Sequence, residues 1–95
     1  MLKRIKYRYL LVLHEGDKEE TKKKIITKFE EMYGKYGLAE ANIKFIDEFK
    51  PIVIKINVKY LDKLRAAFAL LDVPIRTVMV SGCIKKIKEE MGKWI

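Results

Sequence analysis

Apolar residues in this chain alternate between two spacings, and each change of spacing marks a new element. From Tyr7 to His14 the run Leu10-Leu11-Val12-Leu13 is unbroken, the pattern of a strand buried on both faces and therefore central in its sheet. After Glu15-Gly16-Asp17 the spacing lengthens. Ile25, Ile26, Phe29, Met32, Tyr33 and Tyr36 then recur as the stripe of a long helix. Asp17 with Glu20 three residues on resembles a capping box, and Gly37 is the expected C-cap.

Alternation returns from Asn42 to Phe49, with Ile43, Phe45 and Asp47 on one face and Lys44, Ile46 and Glu48 on the other. Charge on both faces predicts an edge strand. The next strand, Ile52 to Val58, points Ile52, Ile54, Ile56 and Val58 inward. Its outward set, Val53, Lys55 and Asn57, predicts an exposed sheet face. A second helix over about Lys59 to Leu71 buries Leu61, Leu64, Phe68 and Leu71. A fourth strand, Arg76 to Met79, follows Pro74, and each of the two prolines, Pro51 and Pro74, stands just before a strand. From Cys83 the helical spacing resumes as Ile84, Ile87 and Met91, with Ser81 as the candidate N-cap.

The order β-α-β-β-α-β with an added C-terminal helix is the split βαβ arrangement. It predicts an α+β fold, ferredoxin-like or RRM-like, with helices over one face of a four-stranded antiparallel sheet. Ninety-five residues suffice for one domain, 1–95. Enzymes, regulators and nucleic-acid binders all use this architecture, so fold alone selects none of them.

Charge narrows the choice. Twenty-one Lys and Arg against 13 Asp and Glu leave a net charge of +8, which favours a polyanionic partner. The excess is uneven. Met1 to Leu13 holds Lys3, Arg4, Lys6 and Arg8 with no acid, interleaved with Tyr7 and Tyr9, whereas acids and lysines nearly cancel between Asp17 and Gly37. A second basic cluster, Lys85, Lys86, Lys88 and Lys93, lies on the terminal helix. At its start, Ser81, Gly82, Cys83 and Ile84 would offer backbone amides to a phosphate, with Gly82 allowing close approach. The structural alternative is a capped helix with solvated lysines.

Catalytic constellations are absent from the pattern. The lone histidine, His14, reads as a surface or capping residue rather than a general base. Asp47 and Glu48 are neighbours on a strand and point to opposite faces. No metal-ligand spacing occurs. Cys83, the single cysteine, cannot form an intrachain disulfide and fits a reducing compartment; it is either a reactive thiol or a small half-buried side chain. The acidic loop Glu15-Gly16-Asp17-Lys18-Glu19 argues against an acylphosphatase cradle. An RRM-type stacking sheet is also weak, since the third strand has no outward aromatic, leaving Tyr7 or Tyr9 to stack a base or pack in the core. The N-terminal apolar run is too short for a signal peptide, and no stretch approaches a membrane span. Gln is absent, Asn occurs only at positions 42 and 57, and Lys, Glu and Ile abound, a bias typical of heat-loving organisms.

The opening Arg8-Tyr9-Leu10-Leu11-Val12 strand and the closing Val80-Ser81-Gly82-Cys83-Ile84-Lys85-Lys86 resemble ribonuclease P protein component 2 of archaea, a family shared with a small subunit of eukaryotic ribonuclease P and MRP. Family members commonly carry Thr where this chain has Cys83. The resemblance implies a cytoplasmic, non-catalytic subunit of the ribonucleoprotein that removes the 5′ leader of precursor tRNA. Ribonuclease P RNA would carry catalysis and hold the magnesium, and this chain would bind no cofactor. Its partners would be that RNA, the precursor tRNA nearby, protein component 3, and a second copy of itself within a heterotetramer. Lys3, Arg4, Lys6, Arg8, Ser81, Gly82, Cys83, Ile84, Lys85, Lys86 and Lys88 are the expected RNA contacts; Val53 and Trp94 are the expected partner interface. The competing expectation is a ferredoxin-like protein-interaction or ligand-sensing module whose charge serves solubility alone.

Overall fold

The computed structural model describes residues 6–46 and 51–93. Strand β1 (Tyr7–His14) lies between β3 (Ile52–Asn57) and β4 (Ile75–Ser81), and β2 (Lys44–Phe45) adds beyond β3. All pairings are antiparallel, in the order β2-β3-β1-β4. The unbroken apolar strand is thus central and the charged strand an edge, as their patterns predict. A central strand loses water on both faces, whereas an edge keeps solvent for its lysines.

Helices α1 (Lys18–Ala41) and α2 (Leu61–Ala69) cover one face of the sheet. Leu10, Val12, Ile52, Ile54 and Ile56 meet Ile25, Phe29, Leu64, Ala67 and Phe68 there. Helix α3 (Ile84–Gly92) covers the other face, closing Ile87 and Met91 over Leu11 and Val53. The expectation that helices cover one face only is therefore corrected. The outward position of β3 and the apolar stripe of α3 are two halves of a single second core. Val53, expected at the centre of an exposed partner interface, is fully buried beneath α3. Burying each such side chain contributes roughly 1.5–3 kcal/mol.

Several element boundaries move for local reasons. Asp17 caps α1 as predicted, its carboxylate accepting from the Glu20 amide at 3.0 Å. The helix then passes through a break at Gly34 (φ 75°, ψ 174°) and continues beyond Gly37 to Ala41. Its left-handed cap is Asn42 (φ 49°), whose N–H donates to the Leu38 carbonyl; Asn tolerates this region better than most residues. Gly37 is instead buried inside the helix, where a β-carbon would stand 2.9 Å from Cβ of Tyr33. Tyr36, assigned to the core stripe, is 77% exposed because the break at Gly34 rotates the last turns of α1 out of phase.

With Asn42 used as a cap, β2 shortens to two residues, although Ile46 still donates to the Val53 carbonyl at 2.8 Å. Asp47, Glu48 and Phe49 lie outside the described residues. Strand β3 ends at Asn57, whose side chain accepts from the Lys59 amide at 3.1 Å and starts a 3-10 turn over Val58–Tyr60. That turn takes the residues expected as the last of the strand and the first of α2. Strand β4 runs longer than its β-branched kernel. Its pairing steps from Leu11↔Met79 to Val12↔Thr77, leaving Val78 as a bulge residue on an edge strand.

Candidate nucleic-acid interface

β1 and β4 pair so that Tyr9 faces Ser81, which places Arg8 beside Gly82. The Arg8 guanidinium lies so close that a β-carbon on Gly82 would stand 3.3 Å from Nη1. Nη1 also donates to the Tyr7 carbonyl at 3.0 Å, which holds the side chain along its own strand. Two basic segments far apart in sequence therefore meet at one end of the sheet. Neither segment's local pattern contains this; it follows from the antiparallel β1–β4 register.

Ser81 is the last residue of β4 rather than the N-cap of α3. Its hydroxyl accepts from the Cys83 amide at 3.1 Å, so a short serine turn carries the chain across Gly82. Cys83 occupies the cap position with no side-chain cap, and the helix begins at Ile84. The set of amides expected to face a phosphate is thus reduced, because that of Cys83 already donates to the Ser81 hydroxyl. Ile84 is half-buried against the second core of Leu11, Val53, Ile87 and Met91, whereas Gly82, Cys83, Lys85, Lys86 and Lys88 are exposed.

Lys85 and Lys86 sit in the first turn of α3, which holds no acid. Cations there oppose the helix dipole at roughly 0.3–1 kcal/mol each, a cost that a bound anion would remove. Lys6 is exposed at the start of β1, its carbonyl tied to the Val58 amide at 2.9 Å. Lys3, Arg4 and Trp94 lie outside the described residues.

Both tyrosines of β1 are engaged. The Tyr7 hydroxyl accepts from Asn42 Nδ2 at 3.1 Å, and the Lys55 amine sits 4.6 Å above its ring. Tyr9 is half-buried in the second core. His14 is also half-buried, at the far end of β1, and its Nδ1 is enclosed without a hydrogen-bond partner among the described residues. A groove of about 320 Å³ between α2 and β4 is lined by Arg65, Phe68, Arg76 and Thr77. It brings Arg65 of α2 and Arg76 of β4 to one groove. Among the described residues no group of three His, Cys, Asp or Glu is placed to hold a metal, and no helix is long and apolar enough to cross a membrane.

Fold and charge define a small α+β domain with a basic strand-to-helix junction at one end of its sheet. The sequence model of the Rpp14/Pop5 family matches residues 4–92. The chain belongs to the Rpp14/Pop5 family, and with it to the protein subunits of ribonuclease P and MRP. Among solved structures, it is similar in fold to a chain in the cryo-electron-microscopy structure of yeast ribonuclease MRP. The TM-score is 0.65 at 12% identity, covering 98% of this chain and 96% of that one. No curated protein sequence matches the chain.

Proposed function

We propose that this protein is the RNA-binding component 2 of ribonuclease P, which supports the catalytic RNA in removing the 5′ leader of precursor tRNA. The observation that carries this reading, in a chain of this family, is the meeting of Arg8 with Gly82 one turn before Lys85 and Lys86. Cations held along exposed backbone suit phosphates, which they grip without reading bases. Neutralising clustered phosphates lets RNA helices approach each other and lowers the demand for magnesium, which in this reading stays on the RNA. The chain supplies no acid, base or cofactor to the cleavage, and it acts in the cytoplasm. It pairs with protein component 3 and with a second copy of itself in a heterotetramer.

Reconstitution tests this reading directly. Cleavage of precursor tRNA by ribonuclease P RNA and the other proteins should fall when this chain is omitted, and rise again when it is restored. Light scattering of the chain mixed with component 3 should give the mass of a heterotetramer. A protein that purifies free of nucleic acid, leaves cleavage unchanged and shows no salt-dependent affinity for structured RNA would be an interaction module instead.

A further inference from the structure

On the layer of the molecule opposite α3, the break at Gly34 leaves Tyr36 on the surface with 77% of its area exposed. Tyr36 is not an isolated surface aromatic. Glu40, one turn along α1, accepts from the Tyr60 hydroxyl at 2.8 Å, and the Tyr36 hydroxyl lies near enough to the same carboxylate to help lower its pKa. Beneath them the rings form a braced floor. Phe29 stands 4.8 Å from Tyr33 and 6.3 Å from Tyr60, and the Tyr33 hydroxyl donates to the Lys63 carbonyl at 3.2 Å. The Lys63 amine caps two of the rings, 4.7 Å above Tyr60 and 5.5 Å above Tyr33. Lys59 adds a second positive charge near Glu40.

The chemistry of this cluster is specific. An exposed aromatic ring accepts a flat partner. A carboxylate has about four acceptor sites, of which the Tyr60 hydroxyl occupies one, so Glu40 can still accept from N–H donors. Two lysines beside it favour a ligand that is anionic outside its planar part. A cationic peptide side chain fits poorly, because Lys63 already fills the cage of Tyr33 and Tyr60 and both lysines would repel it. An unpaired nucleotide meets every requirement: a base to stack, amino and imino donors on its edge, and a phosphate on either side.

We propose that the Tyr36–Glu40–Tyr60 cluster is a second RNA site, separate from the Arg8–Gly82 junction, that stacks one unpaired nucleobase on Tyr36 and accepts its amino edge at Glu40. Guanine, with adjacent N1–H and N2–H donors, suits the carboxylate best, and uracil, with one imino donor, suits it least. Lys59 and Lys63 contact the flanking phosphates. The inference rests on the RNA-binding reading for the class of its ligand, and on nothing else in it.

The test is equilibrium binding of the full chain to a short oligouridylate carrying a single guanosine, against the same oligomer without it. Tyr36→Ala should weaken binding by roughly 5- to 150-fold, the range for loss of one base–aromatic stack, while the domain stays folded with only a slight fall in melting temperature. Tyr36→Phe and Tyr36→Trp should retain most of it. Glu40→Gln should erase the preference for the guanosine oligomer. Native affinity in a folded Tyr36→Ala variant overturns the proposal. So does a Tyr36→Phe variant as weak as Tyr36→Ala, since the hydroxyl network and not stacking would then be responsible, and so does a Tyr36→Ala variant that binds RNA normally but fails to assemble with component 3. Lys85→Ala with Lys86→Ala, assayed on structured RNA, keeps the two sites apart: each set of variants can fail without the other.

Discussion

Arg8 and Gly82 occupy each other's space: a β-carbon on Gly82 would stand 3.3 Å from Arg8 Nη1 and 3.6 Å from Cζ. The missing side chain on β4's exit is what lets the guanidinium lie across the strand end. The backbone of Gly82 is outside the left-handed region, so this glycine is needed for space rather than for its dihedral angles.

Gly82→Val should therefore leave the fold intact, with a change in stability within about 0.5 kcal/mol, because the group it meets is the end of a flexible side chain. Its effect should appear in RNA binding. Displacing the Arg8 guanidinium removes about one phosphate contact, lowering the log–log salt slope by roughly 0.7 to 0.9. Arg8→Ala should produce the same loss, and the double variant should be no weaker than either single one. Additive losses would mean that the two residues act separately.

Replacing Lys85 and Lys86 together by Ala should weaken binding to RNA of any sequence and flatten the salt dependence by roughly two such steps. Thermal stability should hold or rise slightly, since both lysines oppose the dipole of α3 at about 0.3–1 kcal/mol each. Melting temperature and reconstituted cleavage of precursor tRNA check the two halves. Undiminished cleavage would remove the phosphate-gripping role from α3.

What the sequence made legible was set by the range of the interactions involved. β1 reads as central because both-sided burial is written into four consecutive residues. The Asp17 cap reads because its partner is three positions away. The burial of Val53 does not, because it requires α3 to cross the far face of the sheet, and Ile84, Ile87 and Met91 specify a stripe without saying what it covers. Asn42 looked like a strand residue, since nothing local announces a helix that resumes after a break at Gly34. The site divides in the same way. The basic composition of both segments and the Ser81-Gly82 junction were evident, but the contact between Arg8 and Gly82 exists only through the register of β1 against β4. The Tyr36–Glu40–Tyr60 cluster was hidden because Tyr36 fits a core stripe that the Gly34 break interrupts.

Burial beneath α3 reverses the expected behaviour of position 53. Val53→Asp places an unpaired charge in the second core, so it should unfold the domain or destabilise it by several kcal/mol, not merely weaken partner binding. Ile87→Ala, on the helix that covers it, should cost about 2–5 kcal/mol. Denaturant melts of both variants provide the check. A Val53→Asp variant that melts like the parent would show that α3 leaves this face in solution.

The carboxylate of Glu40 makes the domain's stability depend on pH in a defined direction. Hydrogen bonds from Tyr36 first and Tyr60 second, aided by Lys59 and Lys63, hold its pKa below the ordinary 4.5. A group whose folded pKa is depressed contributes stability above its unfolded pKa and loses it as the pH falls through the folded value. The loss on this account falls below about pH 4.5. Tyr36 and Tyr60 shift the opposite way, raised above 10.0 chiefly by their hydrogen bonds to Glu40, so their contribution is complete below that pH and is lost as the pH climbs through the raised values. The network thus supports the fold across the neutral range and weakens at both extremes. Because all three groups are exposed, the effect is small and is read by difference. Glu40→Gln should flatten the acid limb of the melting-temperature profile relative to the parent, and Tyr60→Phe should flatten both limbs in part. Parallel profiles for parent and Glu40→Gln would mean that the carboxylate gains nothing from the tyrosine hydroxyls beside it on folding.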